Sequence, residues 1–187
     1  MNDSEQAERR PPAAIVVMGV AGSGKTAVGE QLAKALGVRF IEGDRFHPPR
    51  NVALMSAGTP LTDEDRVYWL DAIGTEIARA FACGKSTITA CSALKRAYRD
   101  RLRGLCPQIQ FLYLEVDRQT AAQRVASRRN HFMPPSLVDS QFEALMPPGA
   151  DEPHLTIDAR MPLDDTVAAA LSALRHSRLV VPSVSGS

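Results

Sequence analysis

The sequence predicts an α/β protein in which a parallel sheet is covered by helices on both faces. Five short runs rich in β-branched residues alternate with helical patterns along the 187-residue chain. The runs are mostly apolar without alternation, which is typical of strands buried on both faces. Strand–helix alternation of this kind favours parallel strands joined by helical crossovers. The chain length and an apolar content of 44% fit a single compact domain.

The predicted strands are short and end where glycines and polar residues begin. They cover residues 13–20, 39–44, 86–92, 110–116 and 154–159. In a parallel sheet wrapped by helices, ligands bind beyond the carboxyl ends of the strands. The segments in which we therefore expect the functional residues are 19–26, 44–51, 91–99 and the stretch after Val116.

The clearest helical pattern spans residues 62–82, between the second and third predicted strands. Its apolar residues recur at helical spacing as Val67, Leu70, Ile73, Ile77 and Phe81. Thr62 followed by Asp65 has the spacing of a capping box, in which side chain and backbone groups bind reciprocally at a helix start. The sequence therefore predicts a long helix that begins just after Thr62.

The two ends of the chain differ in composition from its centre. Residues 1–12 are polar and finish in two prolines, and residues 177–187 carry serines around a short apolar run. Terminal segments of this kind are often poorly ordered. We predict a disordered leader over 1–12, a single domain over 13–176 and a flexible tail over 177–187.

Composition and charge argue against several classes of protein. With 22 Lys and Arg against 21 Asp and Glu, the net charge is +1, which gives no reason to expect nucleic acid or an anionic membrane as partner. No apolar run approaches the ~20 residues that span a bilayer, and the polar N-terminus lacks the apolar core of a secretory signal. The three cysteines have no CxxC spacing and predict neither a disulfide framework nor a zinc site. We expect a cytoplasmic protein with reduced thiols.

The most specific motif, GVAGSGKT, follows the first predicted strand and precedes a helical pattern. It fits G-x-x-x-x-G-K-[ST] in the strand–loop–helix context that the motif requires, and so predicts a phosphate-binding P-loop. The glycines let backbone N–H groups curl around phosphate oxygens, and the helix adds its positive end. Lys25 is placed to reach the β- and γ-phosphates, and the Thr26 hydroxyl to bind Mg²⁺. The predicted nucleotide-binding residues are Gly19, Val20, Ala21, Gly22, Ser23, Gly24, Lys25 and Thr26.

Several other nucleotide-binding classes fit less well. A GxGxxG dinucleotide fingerprint would leave Lys25 and Thr26 without a role. The chain has no N-K-x-D guanine-binding motif of the GTPase type. ATPase motors normally end a later strand with a carboxylate, whereas the third predicted strand ends in Cys91-Ser92. A small-molecule kinase fits best, and a nucleotide-binding regulatory module without catalysis remains the alternative from another class.

Two further stretches, together with the P-loop, resemble the gluconate kinase family, which comprises small P-loop kinases related to shikimate and adenylate kinases. They are IEGDRFHPPRN at 41–51 and ITACSALKRAYRDRLR at 88–103, with shorter matches at 58–70, 131–132, 140–145 and 148–152. The resemblance covers about residues 14 to 175. It implies a P-loop NTPase fold, three-layer α/β/α with a five-stranded parallel sheet and a small helical lid over about 124–148.

The resemblance also implies an activity. Members transfer the γ-phosphoryl group of ATP, with Mg²⁺, to the terminal hydroxyl of D-gluconate, and a homodimer is the assembly that it suggests. The residues alone lead only to a kinase of a small polar acceptor. A related kinase acting on shikimate, another sugar acid or a nucleoside monophosphate therefore stays open.

Two carboxylates belong to the second predicted strand and its end. Asp44 is expected to face the P-loop across the sheet crevice, and in related kinases a carboxylate at this place binds the acceptor hydroxyl and takes its proton. Glu42 lies two residues earlier on the same strand face and is a candidate for holding Mg²⁺ through water. Surface or capping roles are the alternatives for both.

Gluconate is an anion, so we expect cations around its carboxylate. The candidates, all in the two family stretches, are His47, Arg50, Lys95 and Arg99, with Ser92 as a hydrogen-bonding residue for the sugar or the water around the metal. Lys95 and Arg99 are four residues apart and are predicted to share one helix face. A solvated basic face is the alternative.

The segment after the fourth predicted strand carries the predicted lid. Arg124 and Arg128 are spaced i, i+4 and are expected at its edge, where they would neutralise charge on the transferring phosphoryl group. An amphipathic helix with exposed arginines is the alternative. Gln141, with Phe142 and Leu145, is expected in the packing stripe of the lid helix. Asp158, in the segment 158–162, is predicted to belong to a loop that contacts adenine through backbone groups.

Overall fold

The computed structural model describes residues 11–127 and 135–177 of the chain. Apart from Pro11, Pro12 and Ser177, the predicted leader and tail lie outside these ranges. Residues 128–134 of the predicted lid, with Arg128, lie outside the described residues as well.

A five-stranded parallel sheet forms the centre of the molecule, in the order β2-β3-β1-β4-β5. The strands are β1 Ala14–Met18, β2 Arg39–Glu42, β3 Thr87–Ala90, β4 Ile109–Glu115 and β5 His154–Asp158. β1 is central, with Val16 opposite Thr89 on one side and Phe111 on the other. Each strand lies at a predicted position, and the α/β prediction with five parallel strands is confirmed.

Helices cover both faces of this sheet. In the described part of the chain they are α1 Lys25–Leu36, α2 Pro49–Ser56, α3 Asp63–Ala82, α4 Arg96–Leu105, α5 Arg118–Ala126, α6 Pro135–Ala144 and α7 Leu163–His176, with a short 3₁₀ turn at Gly43–Phe46. Helices α3 and α4 pack on the face of β1 that carries Val16 and Met18. Helices α1 and α7 pack on the opposite face, against Ile15 and Val17. The molecule is therefore a three-layer α/β/α structure.

The capping box predicts the start of α3 correctly. The Thr62 side chain accepts a hydrogen bond from the backbone N–H of Asp65, whose carboxylate accepts one from the backbone N–H of Thr62. Leu70 and Ile73 are buried in the core as expected, each side chain stabilising the fold by about 1.5–3 kcal/mol. Val67 is 38% exposed, so the predicted apolar stripe is not buried at this position, and the buried residues of α3 begin at Trp69.

A third apolar cluster lies at the carboxyl edge of the sheet and connects the P-loop to its surroundings. It contains Val20, Ala21, Leu94, Val116, Ala121, Val125 and Val138. These residues come from the P-loop, the end of β4, helices α5 and α6, and the segment between β3 and α4. Packing at this edge thus holds three of the four segments in which the functional residues are expected, the exception being 44–51. No helix within residues 11–127 or 135–177 combines the length and apolarity needed to cross a membrane.

Candidate active site

The P-loop occupies the turn between β1 and α1, and its glycines are required by the backbone. Gly24 has φ +95° and caps the start of α1, in a region of conformational space that favours glycine. Gly22 has φ +82°, and a Cβ there would lie 2.4 Å from the carbonyl oxygen of Ala121. Glycine is therefore needed at Gly22 both for its torsion angle and for the close approach of α5.

The two polar side chains of the motif take different directions. Lys25 Nζ donates a hydrogen bond to the carbonyl oxygen of Val20, at 3.0 Å, so its ammonium lies over its own loop. The Thr26 hydroxyl donates to Glu42 Oε2 at 2.8 Å. The structure thus brings together the two predicted metal-binding residues, from α1 and the end of β2. Their oxygens are the hard ligands that Mg²⁺ prefers.

Asp44 lies in the short 3₁₀ turn after β2, which Glu42 caps by accepting a hydrogen bond from the Asp44 N–H at 3.3 Å. Its side chain is 73% exposed, so the carboxylate is open to a ligand. His47 Nε2 lies 4.0 Å from Asp44 Oδ1. The structure therefore places Glu42, Asp44 and His47 around one turn.

The imidazole of His47 is buried, which corrects the expectation that it carries charge. Its ring stacks on Trp69, with ring centres 4.3 Å apart, and its side chain is 4% exposed. Burial lowers the pKa of His47 to about 4, against the opposing effect of Asp44, so the ring is neutral at pH 7. His47 is thus suited to hydrogen bonding rather than to binding an anion by charge.

Lys95 and Arg50 meet acidic residues at the start of α3. Lys95 Nζ lies 2.7 and 2.8 Å from the two carboxylate oxygens of Asp63. Arg50 is 79% exposed in its side chain, with Nη1 3.4 Å from Asp65 Oδ1. Hydrogen bonds from Lys95 lower the pKa of Asp63, so this carboxylate is charged at neutral pH. Two of the basic side chains predicted to bind the acceptor, Lys95 and Arg50, therefore lie beside the acidic residues at the start of α3.

Arg99 is not at a ligand-accessible position, and its predicted role in binding the acceptor is corrected by the structure. Its side chain is 0% exposed and forms a two-pronged ion pair with Glu152, at 2.6 and 2.7 Å. Helix α4 begins at Arg96, so Lys95 caps the helix with an extended backbone and does not share a helical face with Arg99. Because Lys95 lies at the cap and Arg99 lies inside the helix, the two side chains go to different places.

The segment Cys91–Lys95 connects β3 to α4, and we name it the acceptor loop because it carries Ser92 and Lys95. The carbonyl oxygen of Ser92 accepts a hydrogen bond from Gly19 N at 3.3 Å, and that of Leu94 accepts one from Met146 N at 2.9 Å. The acceptor loop therefore contacts both the P-loop and the chain that leaves α6. Ser92 is half-buried where the acceptor loop meets the P-loop.

Arg124 contacts the loop after β5. Its guanidinium donates to the carbonyl oxygens of Ala159, Arg160 and Met161 at 2.6–3.3 Å. Asp158 pairs with Arg160, whose hydrogen bonds lower the pKa of Asp158 to about 2. Arg124 thus orders the loop predicted to contact adenine.

Comparison with known proteins assigns this arrangement to a family. A family model described as an AAA domain matches residues 15–147. The gluconokinase of Gluconobacter oxydans strain 621H is 43% identical over 157 residues, which cover 84% of this chain and 88% of that protein. The chain belongs to the gluconokinase family. This confirms the family resemblance that its P-loop and two further stretches predict.

Other gluconokinases match over a similar extent. The thermosensitive gluconokinase of Escherichia coli strain K12 is 39% identical over 166 residues, covering 89% of this chain and 87% of that protein. The crystal structure of a gluconokinase from Sinorhizobium meliloti 1021 has a TM-score of 0.80 at 46% identity, with coverage of 89% and 93%. Both sequence and fold are thus shared with gluconokinases along nearly the whole domain.

Three contacts of this gluconokinase-family chain were not predicted. Gln141 Oε1, on α6, accepts a hydrogen bond from the Ala21 N–H of the P-loop at 2.7 Å. Trp69 Nε1 donates to the carbonyl oxygen of Gly43 at 2.8 Å and so supports the turn that carries Asp44. Asp63 binds Lys95 through both carboxylate oxygens, and this contact depends on how α3 and α4 pack.

Proposed function

We propose that this protein transfers the γ-phosphoryl group of ATP to the terminal hydroxyl of D-gluconate, giving 6-phospho-D-gluconate and ADP. One observation carries the proposal. The P-loop after β1, the carboxylates at the end of β2 and the acceptor loop after β3 lie at one edge of the sheet, in a chain 36–46% identical to gluconokinases. β3 lies between β2 and β1, so the three segments are neighbours.

In this proposal the P-loop, residues 19–26, holds the phosphates of ATP through its backbone N–H groups and the start of α1. Lys25, with Arg128 of the predicted lid, stabilises the charge on the transferring phosphoryl group. Arg124 would join them only after releasing the carbonyl oxygens of the loop after β5 that it binds in this structure. Lys25 Nζ donates to the carbonyl oxygen of Val20 in the same loop, and its flexible side chain is proposed to turn toward the phosphates when ATP binds. Asp158 and the loop that Arg124 orders would border the adenine.

The Thr26–Glu42 pair is the proposed site for Mg²⁺. A hydroxyl and a carboxylate fit this ion, which usually keeps several waters and takes only one or two protein ligands besides phosphate oxygens. When bound, Mg²⁺ neutralises charge on the β- and γ-phosphates. Glu42 also caps the turn that carries Asp44, so one side chain would order both the metal site and the acceptor site.

The acceptor hydroxyl is proposed to bind Asp44, whose exposed carboxylate accepts its hydrogen bond and takes the proton as the phosphoryl group transfers. Neutral His47 is proposed to bind a hydroxyl of the sugar. For the gluconate carboxylate we propose Lys95 and Arg50, with Ser92 donating a hydrogen bond. Asp63 holds Lys95 in place by its two-pronged contact.

The region over about 124–148 is proposed to act as a lid on the domain over 13–176. Val138 and the half-buried Phe142 of α6 pack in the cluster that includes the P-loop, and the Gln141 hydrogen bond joins them directly. A closed lid excludes water, which would otherwise compete with gluconate for the phosphoryl group.

We also propose a homodimer that acts in the cytoplasm without nucleic-acid or membrane partners. The homodimer rests on the family resemblance, and static light scattering tests it. The net charge of +1 offers no steering toward nucleic acid or anionic membranes.

Burial raises the pKa of the Cys91 thiol to about 12, so this thiol stays protonated and unreactive.

An assay that couples ADP release to NADH oxidation across an acceptor panel tests the proposed reaction. We expect turnover with D-gluconate and little or none with shikimate, nucleoside monophosphates or other sugar acids. Turnover with one of those compounds and none with gluconate would show that gluconate is not the acceptor. ATP binding without a phosphorylated product from any acceptor would favour a regulatory nucleotide-binding module.

A further inference from the structure

The buried guanidinium of Arg99 joins three separate segments of the chain. Its Nε and Nη2 bind the carboxylate of Glu152, in the loop before β5. Its Nη1 lies 2.9 Å from the carbonyl oxygen of Met146, in the chain that leaves α6. The same nitrogen lies 3.1 and 3.2 Å from the carbonyl oxygens of Ala93 and Leu94 in the acceptor loop. One planar group therefore bridges the acceptor loop and the exit from the predicted lid.

The part of the acceptor loop that Arg99 binds has an unfavourable backbone conformation. Ala93 has φ +42°, and among the described residues it alone combines a positive φ with a side chain other than glycine. Alanine disfavours this region, because its Cβ crowds the following carbonyl oxygen. Such a conformation persists only where surrounding contacts impose it. Arg99 contacts the carbonyl oxygen of Ala93 itself and is thus placed to hold this conformation.

A buried carboxylate balances the positive charge of the Arg99 guanidinium. Glu152 is 4% exposed, and hydrogen bonds from Arg99 lower the pKa of its carboxyl to about 2. Glu152 Oε1 also accepts the N–H of Gly149, and Arg103 Nη1 lies 3.3 Å from Glu152 Oε2. The carboxylate thus holds the loop before β5 in place while it neutralises Arg99.

We propose that Arg99 is a positioning residue that holds the acceptor loop in its gluconate-binding conformation and ties that loop to the chain leaving the lid helix. This inference rests on the proposed function, since the acceptor loop carries Ser92 and Lys95. In this role Arg99 does not contact the acceptor but holds the backbone of the loop that does. A lysine has no planar fork and cannot bind a carboxylate and three carbonyl oxygens together.

The test compares Arg99→Lys with Arg101→Lys, the same substitution two residues later in α4, where the guanidinium pairs with Asp71 at the surface. If Arg99→Lys leaves the loop productive about one-tenth of the time, the KM for gluconate rises about tenfold. The KM for ATP should change by less than about twofold, since Gly19 is the P-loop residue bonded to the acceptor loop and the contacts of Ala21 and Ser23 are made elsewhere. Arg101→Lys should match the wild type in both constants.

Adding Ala93→Gly to Arg99→Lys supplies a rescue. Glycine adopts a positive φ freely. The gluconate KM of the double variant should therefore be at least about threefold lower than that of Arg99→Lys alone. A purely structural role for Arg99 would instead lower the fraction of folded protein and leave KM unchanged in what remains. Unchanged gluconate KM in folded Arg99→Lys, or an equal rise for ATP, would overturn the proposal.

Hydrogen–deuterium exchange without ligands gives a measurement that does not depend on turnover. We expect peptides over 91–95 and 144–152 to exchange faster together in Arg99→Lys than in wild type. If that variant does not fold, wild-type protein decides, because gluconate alone should then slow exchange in both segments while ATP alone does not. Slowing confined to 91–95 would refute the coupling. Failure of the proposed function shows separately, as wild-type protein that does not phosphorylate gluconate.

Discussion

Helix α4 carries two arginine–carboxylate pairs of the same geometry that differ in burial. Arg99 and Glu152 are joined at 2.6 and 2.7 Å, and so are Arg101 and Asp71. The first pair is 0% and 2% exposed in its side chains, and the second is 41% exposed in both. Replacing each acid by its amide and comparing the two losses in free energy of unfolding therefore measures how burial changes the contribution of such an ion pair.

We expect Glu152→Gln to lower the free energy of unfolding by about 3–5 kcal/mol at pH 7, because it leaves a buried guanidinium without its counter-ion. The pKa of Glu152 leads to a similar figure. A fall from the ordinary value of 4.5 to about 2 corresponds to about 3 kcal/mol, at about 1.4 kcal/mol per pKa unit. Asp71→Asn should cost at most about 1 kcal/mol, since exposed pairs contribute little.

The pH dependence provides a second criterion. Because the folded-state pKa of Glu152 is depressed, its contribution is complete above about pH 4.5 and is lost as the pH falls toward 2. Urea unfolding of wild type and Glu152→Gln between pH 7 and pH 3 should show a difference that narrows below pH 4.5. A difference that stays constant with pH, or one no larger than that for Asp71→Asn, would refute the reasoning.

The remaining predictions concern the proposed chemistry. Lys25→Ala should lower kcat by more than ~10²-fold, because it removes a positive charge from the transferring phosphoryl group; an unchanged rate of ADP release would remove Lys25 from catalysis. Asp44→Asn should depress turnover while ATP affinity, measured by calorimetry, stays the same; an equal loss of nucleotide affinity would point to a metal-binding role instead. Glu42→Gln should raise the Mg²⁺ concentration for half-maximal activity about tenfold or more. Glu30→Gln, on the exposed side of α1, serves as its control, and equal responses of the two variants would count against a metal site at Glu42.

Local signals in the sequence account for the fold and the phosphate-binding loop. The strands are continuous apolar runs, and a capping box marks the start of α3. Gly22 and Gly24 belong to a motif whose backbone torsions are set locally, so their positive φ values follow from the sequence, whereas the close approach of α5 to Gly22 does not. Such features can be predicted because the residues that determine them are neighbours in the chain.

The predictions that needed correction depend on tertiary packing. Arg99 and Lys95 are both basic residues near a helix start, and it is the packing of segments distant in sequence, which supply Glu152 and the carbonyl oxygen of Met146, that sends Arg99 inward. His47 loses its charge because Trp69, distant in sequence, stacks on it and removes it from water. Residue type and spacing do not report burial, and burial determines both the charge and the role of these side chains.

Product identification tests the central claim most directly. Wild-type protein is incubated with ATP, Mg²⁺ and uniformly ¹³C-labelled D-gluconate, and the product is followed by ¹³C and ³¹P NMR. We expect ADP and phosphorus coupling to carbon 6 of gluconate to appear together in equal amounts. ADP accompanied by free phosphate, or phosphorus on any other carbon, would contradict an acceptor hydroxyl held at Asp44 opposite the P-loop.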